Sequence, residues 1–193
     1  MQLLAFAASN SRSSINRTLV EYTLGLFRKE FGFDMDVEIL DLNAYEMPIY
    51  SIDRERENGV PNRAKDFFQK IGDADAVIVS FAEHNGTTTA AWKNLFDWMS
   101  RIDTGVWQER PMMIMAATPG ARAGAGVLQH QTSLAPHFGG RIAAAVGVGR
   151  WQDSFDNSTG ALTNAEDIAA IHKAVAGFTE VLRQGPDQAG KST

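Results

Sequence analysis

The chain has 193 residues, 44% of them hydrophobic and 21% charged, with a formal net charge of −5 and no cysteine. That length and apolar content can bury one substantial core and require no second domain. Scattered lysines and arginines argue against a nucleic-acid or anionic-membrane surface, and the missing cysteines exclude disulfides, thiolate metal sites and Cys nucleophiles, so redox chemistry needs a borrowed cofactor.

Leu3 to Ala8 is an apolar run that predicts a first strand. It is too short, and lacks a basic leader, to be a signal peptide or membrane span, which makes cytoplasmic residence the expectation. The polar stretch Ser9-Asn10-Ser11-Arg12-Ser13-Ser14-Ile15-Asn16 follows, and Ile15, Leu19, Tyr22 and Leu26 then share one face of a helix predicted over about residues 15–30. A helix start carries free N–H groups and a partial positive charge, so this strand, loop and helix are suited to an anion, above all a phosphate. Ser9, Ser11, Ser14 and Asn16 can donate to phosphate oxygens and Arg12 can add a countercharge. The plainer alternative has Ser14 capping the helix and its neighbours solubilising the loop.

Phe31-Gly32-Phe33 breaks the helical pattern and Met35 to Leu40 alternates as a second strand. Asp41 to Pro61, rich in breakers and charge, reads as a long irregular loop with Arg54-Glu55-Arg56-Glu57 as a solvated face. Phe67, Phe68 and Ile71 mark a short helix ending at Gly72. Ala76 to Phe81 is a continuous apolar run, the pattern of a central strand covered on both faces. Its loop, Ala82 to Thr89, contains Asn85-Gly86, a dipeptide suited to positive φ or to an ordinary turn. A helix carrying Ala91, Leu95, Trp98 and Met99 inward comes next. Pro111 opens a fourth strand, Met112 to Ala117, which leads into the glycine-containing loop from Thr118 to Gly126. A helix near residues 127–135, a fifth strand over 142–148 and a last helix over about 164–182 complete the chain, and the tail from Gly185 is expected to fray.

Strands alternating with helices imply right-handed crossovers and an α/β fold, a five-stranded parallel sheet with helices on both faces, as one domain over residues 1–185. In such a sheet ligands bind beyond the carboxyl ends of the strands, where the loops after strands one, three and four gather. Those loops offer hydroxyls, amides and backbone N–H groups but no nucleophile–base pair, so no catalytic residue is named. His84 is open between proton relay, ring stacking and a plain loop role. His130, His137 and His172 lack ligand spacing with carboxylates, which leaves no metal site. Gly120, Gly124 and Gly126 do not form the dinucleotide fingerprint, and no Gly-Lys-Ser/Thr P-loop occurs.

Three segments together resemble the flavodoxin-like NAD(P)H-dependent FMN reductases, a family that includes quinone, azo-dye and chromate reductases. The family's first loop typically reads Gly-Ser-x-Arg-x-x-Ser-x-Asn; in Ala8 to Asn16, Ser9, Ser14 and Asn16 take the Ser, Ser and Asn positions. Ser11 stands where the family usually has Arg, with Arg12 one place along. The second segment, Pro-Glu-Tyr-Asn-Gly-Ser followed by Lys-Asn-x-x-Asp-Trp, is similar to Ala82-Glu83-His84-Asn85-Gly86-Thr87 and Lys93-Asn94-Leu95-Phe96-Asp97-Trp98, with Ala82 and His84 as departures. Lys93 and Asp97 can also be read as a simple i, i+4 helix pair. The third, Thr118-Pro119-Gly120-Ala121-Arg122-Ala123-Gly124, is similar to Ser-Pro-Gly-x-x-Gly-Gly.

The resemblance implies a flavodoxin-like three-layer sandwich that binds FMN non-covalently and passes hydride from NADPH or NADH to a quinone, free flavin or similar small acceptor. It assigns Ser9, Ser11, Arg12, Ser14 and Asn16 to the phosphate, Ala82, Glu83, His84, Asn85 and Gly86 to the isoalloxazine ring, and Thr118 and Gly120 to its other side. It also implies a homodimer or homotetramer, for which Met47, Tyr50 and Trp107 are either interface anchors or buried loop packing. A one-electron flavodoxin-type carrier without an NAD(P)H site is the alternative; mild charge and the unshielding Glu-His-Asn-Gly loop favour the reductase. A flavin-free interaction module is a third reading, since fold alone does not fix function.

Overall fold

The computed structural model describes residues 1–30 and 35–184. The break at Phe31-Gly32-Phe33 and the tail from Gly185 lie outside the described residues. Five runs rich in aliphatic side chains extend as β1 (Gln2–Ala8), β2 (Asp36–Leu40), β3 (Ala76–Phe81), β4 (Pro111–Ala117) and β5 (Arg141–Val148). They pair in parallel in the order β2-β1-β3-β4-β5, which puts the reversal of strand order between β1 and β3. The period of two divides each strand between two cores: Leu4, Phe6, Val77, Val79, Met112 and Ile114 face one side, and Leu3, Ala5, Ile78, Met113 and Met115 the other.

Helices α3 (Asn62–Asp73), α4 (Ala90–Met99) and α5 (Ala125–Leu134) cover the first face, and α1 (Ile15–Glu30) and α7 (Ala165–Gln184) the second. The first face is built around Trp92, 1% exposed, whose ring lies 5.3 Å from Phe6, 5.9 Å from Phe81 and 5.5 Å, stacked, from Trp107. Trp107 is fully buried, so of the two roles open to it the structure gives it core packing.

The predicted loop from Asp41 to Pro61 is more ordered than its composition suggests. It contains a 3-10 turn, Leu42–Tyr45, and a helix, α2 (Ile52–Asn58), started by Ser51, whose hydroxyl accepts from the Arg54 amide at 3.2 Å. Helix α2 buries none of its residues, so it has no apolar periodicity to announce it, and only its cap and Gly59 at its end carried a signal. The charge run lies on its exposed surface. Between β5 and α7 the chain adds a short helix, α6 (Trp151–Ser154), and a small hairpin of two-residue strands, β6 (Phe155–Asp156) with β7 (Ala161–Leu162). No helix among the described residues is long and apolar enough to cross a membrane.

Candidate functional site

Loops leaving the carboxyl ends of β1, β3 and β4 converge on one open pocket. The first contributes Ser9, Ser11, Ser13 and Ser14 together with Ile15 and Asn16 of α1; the second Ala82, Glu83 and His84; the third Ala117, Thr118 and Pro119. Asn85, Gly86 and Gly120 sit in the same loops beside it. Ser13, Ile15, Ala117 and Pro119 were not selected as site residues from the sequence, although each adjoins one that was.

Ser9 and Ser14 are each 8% exposed and use their oxygens as acceptors, Ser9 from the Ser11 amide at 3.2 Å and Ser14 from the Arg17 amide at 3.3 Å. Ser14 therefore caps α1, and both hydroxyls keep their proton for an outside acceptor. The amides of Ile15 and Asn16, first in the helix, have no partner among the described residues. This is the arrangement that attracts an anion. Asn16 is 2% exposed: its Oδ1 accepts from Ser80 Oγ at 2.7 Å and from the Ala117 amide at 2.8 Å, and its Nδ2 donates to the Ala117 carbonyl at 3.0 Å.

Arg12 lines an adjoining crevice on the β2 side of the loop with Arg17 and Asp41, and Ser9, Ser11 and Ser14 line both this crevice and the pocket. There the Asn43 amide and side chain, with Arg17 and Arg12 close by, hold the Asp41 carboxyl below its ordinary range.

In the second loop His84 and Thr87 exchange backbone hydrogen bonds of 2.8 and 3.1 Å around Asn85 at φ 54° and Gly86 at φ 80°. Positive φ at both central residues is the two-residue hairpin turn that an Asn-Gly dipeptide favours. It presents His84, exposed, at the pocket. Glu83 Oε1 accepts from the Val127 amide at 3.0 Å, so a carboxylate meets the start of α5 and ties this loop to the next. Thr89 caps α4 by accepting from the Trp92 amide at 3.2 Å and donates to the Ala8 carbonyl at 3.0 Å, tying it back to β1. The third loop is fixed to the end of β5: the Thr118 amide donates to Val148 O at 3.0 Å, Thr118 O accepts from the Trp151 amide at 3.1 Å, and Gly120 O accepts from the Arg150 amide at 3.0 Å.

The Lys-Asn-x-x-Asp-Trp segment has a structural task. Asn94 Oδ1 accepts from the Tyr50 amide at 2.8 Å, its Nδ2 donates to the Met47 and Pro48 carbonyls at 3.2 Å each, and Trp98 Nε1 donates to Pro48 O at 2.8 Å. Helix α4 thus grips the main chain from Met47 to Tyr50, while Lys93 and Asp97 form a surface ion pair worth a few tenths of a kcal/mol. The grip leaves Tyr50 and Met47 partly buried and Ile49 74% exposed.

The sequence profile of the NADPH-dependent FMN reductases matches residues 1–153. The chain is 25% identical over 191 residues to subunit 2 of an NADH-dependent flavin reductase from Lactobacillus johnsonii, covering 95% of this chain and 98% of that one. It is 30% identical over 122 residues to a 2-hydroxy-1,4-benzoquinone reductase from a Burkholderia species, covering 63% of this chain and 62% of that one. Among solved structures, FerB, a flavoenzyme NAD(P)H:(acceptor) oxidoreductase from Paracoccus denitrificans, superposes with a TM-score of 0.76 at 18% identity, over 95% of this chain and 98% of that one. The chain belongs to the NADPH-dependent FMN reductase family, as an NAD(P)H-dependent flavin oxidoreductase of flavodoxin-like fold.

Proposed function

We propose that the pocket between the β1, β3 and β4 loops holds FMN and that the reduced flavin passes its electrons to a quinone, free flavin or similar small acceptor. The observation that carries this reading is the meeting of two opposite chemistries in one pocket. At one end stand the start of α1 and two hydroxyls with protons to donate; at the other stand two loops at the edge of the sheet with no charged pair between them.

The residues present fit the cofactor. Ser9, Ser14 and the Ile15 and Asn16 amides would take the phosphate, with Ser11 at the rim. The Ala82–Gly86 turn and the Thr118–Gly120 loop would flank the ring, where Glu83 contributes chiefly by its bond to Val127. FMN supplies hydride chemistry when bound. The protein's part is to fix the phosphate, hold the two loops in place beside the ring and leave one side open to NADH or NADPH and the acceptor. The family match favours this reading over a one-electron carrier. A reaction drawing on NAD(P)H suits the cytoplasm. Exposed Ile49 and Ile52, the first on a segment clamped by α4, support a homodimer or homotetramer through this surface.

The purified protein should be yellow or turn yellow with FMN, bleach anaerobically with NADPH or NADH, and recover its colour with a quinone. Colourless protein that leaves FMN fluorescence unquenched would overturn the assignment. Ser14→Ala should weaken FMN about tenfold to hundredfold, since a buried donor to a charged group is worth about 1.5–3 kcal/mol. Arg12→Ala should weaken it less than about threefold at 0.15 M salt, because that guanidinium is exposed and already faces Asp41. Fluorescence titration reads both, and a larger loss for Arg12→Ala than for Ser14→Ala would reverse their roles.

A further inference from the structure

We infer that the Asn16 side chain is a positioning group, which sets the spacing between the phosphate loop and the ring-side loops through Ser80 and Ala117, and is not itself a phosphate ligand. The inference rests on the FMN reading of the pocket. Asn16 has two acceptor positions on Oδ1 and two N–H groups on Nδ2. Both acceptor positions are filled, by the Ser80 hydroxyl and the Ala117 amide, and one N–H is spent on the Ala117 carbonyl. The backbone partners fix which end of the amide is which, since Ala117 N–H can only donate and its C=O only accept. What remains is one N–H on a side chain 2% exposed.

The partners explain why the bonds matter. Ser80 is the only polar residue of β3, fully buried, on the strand that carries the Ala82–Gly86 loop. Ala117 is the last residue of β4, next to Thr118. Asn16 therefore stitches the first turn of α1 to the ends of both other strands at the site, at the level where their loops begin. Glu83 to Val127 and Thr89 to Ala8 brace the loops further out, but neither reaches α1. An apolar residue at 16 would leave the Ser80 hydroxyl without its acceptor and separate the α1 start from β4.

Riboflavin, which lacks the phosphate, separates the two roles. Ser80→Ala removes one oxygen that touches no ligand, and it should weaken FMN and riboflavin by the same factor, about threefold to tenfold. Asn16→Asp keeps the shape but, when ionised, has no donor for the Ala117 carbonyl. Its riboflavin affinity should be down about tenfold relative to wild type at neutral pH, where a carboxylate at the start of α1, accepting from the Ser80 hydroxyl and the Ala117 amide, is ionised. Riboflavin affinity unchanged in both variants, with FMN alone weakened in Asn16→Asp, would make Asn16 a phosphate ligand and overturn the inference. Wild-type protein that binds neither flavin would instead overturn the FMN reading, and the inference with it.

Discussion

Trp92→Ala should lower the unfolding free energy by about 3–5 kcal/mol, the range found when a buried aromatic is cut back to Ala. Trp92 is 1% exposed and its ring meets Phe6, Phe67, Phe81, Phe96 and Trp107 at centroid distances between 5.3 and 6.2 Å. These neighbours come from β1, α3, β3, α4 and the turn before β4, so no one of them can move to fill the void without leaving the others. Collapse is therefore poor and the cost should sit at the upper end. For a chain of this length each kcal/mol shifts Tm by about 2–4 °C, which gives a fall of about 10 °C or more. Urea unfolding by far-UV circular dichroism reads the change. A loss below about 1 kcal/mol would mean that the first face is plastic. The effect on FMN should be secondary, because Trp92 does not line the pocket and reaches its loops only indirectly, through Phe81 before Ala82 and through the Thr89 cap of α4.

How much of this could be read from the sequence follows from what each segment buries. Strands β3 and β4 are covered on both faces, so their runs are unbroken and their ends were legible to the residue; α1 has a clear stripe and a capping serine. The three site loops were legible because the chemistry of a helix start and of an Asn-Gly turn is local, and Asn85 and Gly86 take the positive φ their identity suggests. What escaped was of two kinds. Helix α2 buries nothing, and periodicity is blind to a helix without an inner face. The long-range polar braces cannot be seen from a residue type: Asn16 looks the same in sequence whether it faces a phosphate or Ala117, a hundred positions away. One signal did exist, the lone hydroxyl of Ser80 in an otherwise apolar strand, which had to find a buried acceptor.

The loop after β4 carries the second large effect. Gly147 lies in β5 opposite Ala116, and a Cβ added there would sit 2.0 Å from the Ala123 carbonyl oxygen and 3.0 Å from its carbon. That neighbour is backbone, held by a residue already at φ 52°, and cannot rotate aside as a flexible side chain would. Gly147→Ala must therefore push the 118–124 loop off the sheet end, straining its bonds to Val148 and Arg150. The expected cost is about 1–3 kcal/mol of stability, the usual range for overpacking. If Thr118 and Gly120 flank the flavin, the same shift should weaken FMN at least about tenfold, with the phosphate end of the pocket untouched. Gly177→Ala is the control: it lies in α7, nothing stands within 4 Å of the added methyl, and helix propensity should make it stabilising by about 0.5–1 kcal/mol with no change in FMN. Fluorescence titration beside urea unfolding separates the two terms. Gly147→Ala protein that is destabilised yet binds FMN like wild type would remove the 118–124 loop from the flavin site and leave the ring to the Ala82–Gly86 turn alone.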